Sequence, residues 1–68
     1  MTFTITMVQD EDGMFVVDCP AIPGCVSQGS TRDEAEENIG DTIRECFAVR
    51  REQGLPLTIE VRQLQVSV

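Results

Sequence analysis

Apolar residues alternate with threonines at the start of the chain: Phe3, Ile5 and Met7 fall on one phase, Thr2, Thr4 and Thr6 on the other. A period of two over Thr2–Gln9 predicts a half-buried β-strand, and the β-branched content agrees. Asp10-Glu11-Asp12-Gly13 reads as a solvated hairpin turn, with Gly13 free to adopt positive φ. Met14–Cys19 follows as a second strand. Phe15, Val17 and Cys19 share one face and Met14 and Val16 the other. With apolar residues on both faces, this strand is expected to be central, its second face covered by another subunit. A short third strand is expected around Cys25–Gln28. The period then lengthens. From Arg32 to Gln53, residues Ala35, Ile39, Thr42, Ile43, Cys46 and Phe47 fall within an arc of about 140° at about 100° per residue, which predicts a helix lying on a sheet. Leu57–Val66 reads as a last strand. Its phase changes, with Leu57, Ile59 and Val61 on one side and Leu64, Val66 and Val68 on the other, and the slip near Arg62-Gln63 predicts a bulge or the end of regular pairing.

The joints between these elements carry their own signals. Pro20 and Pro23 cannot donate to a ladder and restrict the residues before them, so Cys19–Gly24 is expected to be a stiff, extended crossing, with Gly24 and Gly29 allowing changes of direction. Thr31 followed by Glu34 signals a capping box, hydroxyl and carboxylate each accepting from an orphan backbone N–H. Gly54 and Pro56 end the helix. Gly40, in its middle, costs about 1 kcal/mol relative to Ala and marks either a close approach of another backbone or no requirement at all. The order is β-β-β-α-β: an α+β, two-layer domain over residues 1–68, three strands in an antiparallel meander and a helix across one face. With strand four parallel to strand one, the sheet order is 3-2-1-4 and the crossover right-handed.

The stretch Asp18-Cys19-Pro20-Ala21-Ile22-Pro23-Gly24-Cys25-Val26-Ser27-Gln28-Gly29, followed by Ser30-Thr31 and an acidic helix containing Glu36-Glu37-Asn38-Ile39, resembles the HicB family of antitoxins. The resemblance extends from roughly Phe3 to Pro56 and includes Asp12-Gly13 and Ala35. It implies a partial ribonuclease H-like fold, which the order 3-2-1-4 also describes. It further implies an antitoxin of a type II toxin–antitoxin system, which neutralises a small, basic, HicA-like mRNA-cleaving toxin. Many members carry a DNA-binding domain after the last strand. With the chain ending at Val68, operator binding and autoregulation by this chain are not expected.

Length and charge sharpen that picture. Sixty-eight residues allow a single domain, and one this short is marginal by itself, so oligomerisation is the expected aid. The unmatched apolar positions Met14, Val16, Leu64, Val66 and Val68 point the same way, to a dimer or a dimer of dimers. The net charge is −7, and every basic residue is Arg. Direct nucleic-acid binding is therefore disfavoured and a basic protein partner favoured. No apolar run approaches the ~20 residues that span a membrane, and no secretory signal is visible, which suggests a cytoplasmic protein.

The residue inventory argues against catalysis. There is no His, Lys or Tyr to move protons. The first strand holds no carboxylate and the last only Glu60, whereas two-metal hydrolysis needs acids converging on ions ~3.5–4 Å apart. Ser27, Ser30 and Cys25 lack a His base. Cys19, Cys25 and Cys46 are too few for a four-thiolate zinc site and read as small buried hydrophobes, reduced in a cytosol. No enzyme activity, metal or cofactor is expected. What remains is the helix face carrying Glu34, Glu37, Asp41, Glu45 and Glu52, opposite the apolar arc. It is either the solvated side of an amphipathic helix or a docking surface for a basic toxin, with Glu34, Glu37, Asp41 and Glu45 as the candidate contacts. A stand-alone oligomeric regulatory or scaffold domain without a toxin partner is the alternative function.

Overall fold

The computed structural model describes residues 1–68, in which β1 (Thr6–Gln9), β2 (Phe15–Asp18) and β3 (Val26–Gly29) precede one long helix, α1 (Arg32–Gln53). The strands form an antiparallel sheet in the order β1-β2-β3, so the second strand is central, as its two apolar faces require. Register decides what each face buries. Met7, Val17 and Ser27 lie abreast, as do Gln9, Phe15 and Gly29, and these rows face the helix. The rows between them, Val8–Val16–Gln28 and Thr6–Asp18–Val26, face away, leaving Val8 and Val26 exposed.

The core is small. Val17, Cys19, Ile22, Cys25, Ala35 and Ile39 are buried, and Phe3, Ile5, Met7, Phe15, Ile43, Cys46 and Phe47 pack round them half-covered. The helix occupies the span that its periodicity predicts and turns the expected arc to the sheet. Phe47 meets Phe3 edge-to-face with ring centroids 5.5 Å apart, a geometry that adds to simple burial. No helix is long and apolar enough to cross a membrane.

The proline crossing is folded, not extended. Ile22 N–H donates to Cys19 O at 3.0 Å and Cys25 N–H to Ile22 O at 3.1 Å, which makes two successive β-turns with Pro20 and Pro23 each at the second position. Gly24 has φ of 80°, as the third position of a type II turn requires. Cys19 N–H to Cys25 O at 3.0 Å closes the loop as a continuation of the β2–β3 ladder. Proline's fixed φ suits the second turn position as well as it suits extended chain, and the apolar Ile22 gains by folding under, where it is fully buried.

The last strand does not form. Leu57–Val68 has no regular structure, and its backbone makes one hydrogen bond, Ile59 N–H to Ala21 O at 2.6 Å. That bond goes to the crossing loop and not to the first strand. Beyond it, the tail passes Thr2–Thr4, ahead of the four residues that pair in β1, and its apolar residues are exposed on both sides of Arg62-Gln63, Ile59 and Val61 as well as Leu64 and Val66. The predicted β-β-β-α-β order therefore stops at β-β-β-α. The sheet order 3-2-1-4 reduces to three strands, and the ribonuclease H-like arrangement, which needs the parallel fourth strand, is not completed.

Two contacts seat the helix. Thr31 caps it, its Oγ1 accepting from Glu34 N–H at 3.0 Å. The Glu34 carboxylate accepts from the Ser30 hydroxyl at 2.6 Å, so the second half of the expected capping box is replaced by a side-chain bond. Immediately before the cap, Gly29 lies against the first turn. A Cβ there would fall on Ala35 N, 2.8 Å from Glu34 C and 2.9 Å from Ala35 Cα, all of it backbone that cannot step aside. Gly40 is different. The nearest atom to a Cβ there is the tip of Arg44 at 3.9 Å, so nothing within this chain approaches it closely. Gly29→Ala is expected to lower stability by about 1–3 kcal/mol or more through overpacking, and Thr31→Ala by about 1 kcal/mol through loss of the cap. Urea midpoints at constant m-value measure both, and an unchanged midpoint for Gly29→Ala would show that the helix can shift on the sheet freely.

Candidate partner-binding surface

The four candidate acids lie along the solvent side of α1 and are all exposed, but they are not equivalent. Glu34 is engaged by Ser30 at the helix start. Asp41 holds Arg44 at 2.8 Å in an exposed pair one turn along, which dilutes its charge. Glu37 and Glu45 have neither a hydrogen bond nor an ion pair. Glu45 stands at the rim of a shallow groove where the C-terminal half of α1 meets the crossing loop, together with Pro23, Cys46, Val49 and Arg50. The helix backbone thus places the four on one stripe; only Asp41 is paired with a cation, and Glu37 and Glu45 have no local bond at all.

Two other polar side chains turn out to hold the surface in place. Asn38 reaches from α1 to donate to Gln28 O at 2.8 Å, tying the helix to the backbone of the edge strand β3. Arg50 donates to Pro23 O at 3.0 Å and to Pro56 O at 2.9 Å, so one guanidinium joins the crossing loop to the segment after the helix. In the sequence Arg50 reads only as a cation suited to the helix C-terminus. Its distance of 27 positions from Pro23 hides the contact. A helix position within the apolar arc occupied by a long cation was the available signal, because Arg covers apolar surface with its stem while its head finds carbonyls.

The cysteines are free thiols; Cys19 and Cys25 are buried and Cys46 half-covered. Burial, then a hydrogen bond with Cys46, push the Cys25 thiol from 9.0 up to about 12. A thiol so placed is neutral near pH 7 and is neither a nucleophile nor a ready metal ligand, since both roles need the thiolate. No group of three acids, thiols or imidazoles is arranged to hold a metal ion.

A three-stranded meander covered by one capped helix, with an acidic outer stripe, is the framework of a small α+β domain. The sequence is similar along nearly its whole length to a UPF0150 protein of Archaeoglobus fulgidus, 33% identical over 69 aligned residues that cover 98% of this chain and 100% of that one. It is 50% identical over 44 residues to UPF0150 protein Ta0767 of Thermoplasma acidophilum, covering 65% of this chain and 64% of the relative. With UPF0150 protein ssr1258 of Synechocystis it shares 39% identity over 45 residues, 66% of this chain and 65% of the relative. The match thus spans slightly less than two thirds of the Thermoplasma and Synechocystis proteins. The chain belongs to the UPF0150 family. No family model matches it, and no solved structure does.

The thiol chemistry carries a pH dependence. The folded state holds the Cys25 proton more tightly than the unfolded chain, so its contribution to stability is complete below pH 9.0 and is lost as pH rises towards about 12. Unfolding free energy measured at several pH values from 8 upwards should fall less steeply for Cys25→Ala than for wild type. Parallel slopes would mean that the thiol ionises as easily in the native state as in the unfolded one.

Proposed function

We propose that this protein is an antitoxin-type binding module that neutralises a small, basic, RNA-cleaving protein by covering its cationic surface. The observation that carries the reading is the acidic stripe on α1. Glu34, Glu37, Asp41 and Glu45 project from the face opposite the buried Ala35 and Ile39, on a helix capped at both ends and seated on the sheet by Gly29 and Asn38. A rigid row of carboxylates is matched to a protein that binds RNA phosphates through Arg and Lys, because the same cations then meet carboxylates in place of phosphates. The net charge of −7 supports the same partner and argues against RNA itself as the ligand. Membership of the UPF0150 family is consistent with this reading, and the resemblance of the Pro-x-x-Pro-Gly-Cys stretch to HicB antitoxins supplies the toxin class.

Inhibition by occlusion needs no catalytic group in this chain, in keeping with its lack of His, Lys and Tyr. The acids act on encounter: opposite charge accelerates association, and the apolar and hydrogen-bonded contacts that follow set how long the complex lasts. Glu34, Glu37 and Glu45 carry the largest share because no cation pairs with them, while part of the Asp41 charge is already spent on Arg44.

The test is to look for a short reading frame for a small basic protein beside this one and to measure the association rate with its product. Glu37→Lys/Asp41→Lys should slow association about tenfold or more at low salt and flatten its salt dependence. Stability should change by no more than about 0.5 kcal/mol, because the substituted side chains are exposed. Equal rates for variant and wild type would reduce the stripe to a solvated face. Absence of binding by wild type would leave the stand-alone regulatory domain as the reading.

A further inference from the structure

The helix does not lie centrally on the sheet. It runs closest to β3, less close to β2, and stays clear of the β1 backbone. One flank of α1 therefore overlooks the outer edge of β3. Asn38 marks that flank, because its amide donates to Gln28 O at 2.8 Å. Glu34 stands one turn before Asn38, Asp41 one turn after it and Glu45 two turns after it, so helical spacing sets all three on the same stripe. The cations of α1 are turned to other tasks: Arg44 pairs with Asp41, Arg50 holds Pro23 O and Pro56 O, and Arg32 lies over the Phe15 ring.

The edge below this flank is unpaired. β3 bonds only to β2. Cys19 N–H bonds Cys25 O at 3.0 Å, so the odd-numbered residues of β3 make the ladder and the main-chain groups of Val26 and Gln28 point outward. The Asn38 contact agrees, since it meets Gln28 O on the open side. Val26 N–H, Val26 O and Gln28 N–H have no partner in the chain. No Lys or Pro guards the strand. β1 has an open edge as well, but α1 does not overlook it and Thr6–Gln9 carries no charge.

We propose that the basic partner docks by adding an extended segment to the open edge of β3, with cationic residues at alternate positions reaching Glu34, Asp41 and Glu45. Register sets the pattern of that segment. A residue exchanging main-chain bonds with Val26 places its side chain on the outer sheet face beside Val26, which is 51% exposed, and an apolar side chain fits there. The residue next to it lies level with Ser27, on the helix side and below the acids, where a cation fits. The occupant is thus a strand alternating apolar and basic residues. This chain contains no such segment, because no two of its arginines stand at alternate positions. Its own tail lies elsewhere, beside Thr2–Thr4. Main-chain bonds supply the hold and the alternating charges the selection. That the partner is basic rests on the function proposed above; the mode of docking rests on the edge and its acidic flank.

The whole protein is titrated with a short synthetic peptide alternating Arg and Val, and with the same peptide N-methylated at its Val residues, which keeps the charge and loses the donors. The unmodified peptide should slow hydrogen exchange at Val26 and Gln28 and leave Met7 and Gln9, on the outer edge of β1, unchanged. The N-methylated peptide should bind about tenfold more weakly or worse. Asp41→Asn/Glu45→Gln should weaken the unmodified peptide about threefold or more at low salt and keep the helical circular dichroism, since both side chains are exposed. Equal affinity for the two peptides would reduce the contact to bulk charge attraction and overturn the proposal. Protection at Met7 and Gln9 in place of Val26 and Gln28 would overturn it too, as would no binding of the unmodified peptide at millimolar concentration. Val26 and Gln28 amides that are protected without peptide, and more so at higher protein concentration, would give the edge to a second copy instead. Neutralisation of a basic RNA-cleaving protein while both amides still exchange freely would keep the antitoxin function and remove this mode of docking. Strand addition without neutralisation would do the reverse.

Discussion

The approach of Gly29 to the first turn of α1 sets the position of everything that follows it. The sheet presents a half-buried face only four residues long per strand, and a 22-residue helix must be laid across it from one end. With backbone resting on backbone at Gly29, and the chain turning at once through Ser30 and the Thr31 cap, the helix starts at a fixed height above β3. Ala35 and Ile39 then descend onto Val17, Cys19 and Ile22, and Asn38 reaches Gln28 of the same strand. A side chain at position 29 would lift the first turn and withdraw the two buried helix residues together. A core this small has little capacity to repack around such a shift.

The same seating explains what was readable in the sequence. The helix limits, its buried arc, the central second strand and the hairpin at Asp10 are local or periodic, and period and capping residues report them directly. The crossing loop and the tail are not. Pro20 and Pro23 allow both extended chain and the second position of a turn, and the choice is made by Ile22, whose burial becomes possible only once the helix roofs the loop. The tail has strand-like composition, but pairing depends on where its one anchor falls. Ile59 bonds to Ala21, in the crossing loop, and this leaves the tail alongside residues that precede β1. The acidic stripe was legible as a stripe. Its inequality, with Glu34 and Asp41 engaged and Glu37 and Glu45 free, depends on Ser30 and Arg44 side-chain geometry that spacing alone does not give.

Charge divides the molecule in a way that the fold alone does not require. The acids are gathered on the helix and on the tip of the first hairpin, whereas the first strand and the tail are neutral. On a domain with so little buried surface, carboxylates along α1 cost something: with few cations between them they repel one another, and only the helix start and Arg44 offset part of that repulsion. Solubility would be served as well by acids spread evenly. Their concentration on one helix face makes that side of the domain strongly acidic, while the first strand carries no charged side chain at all.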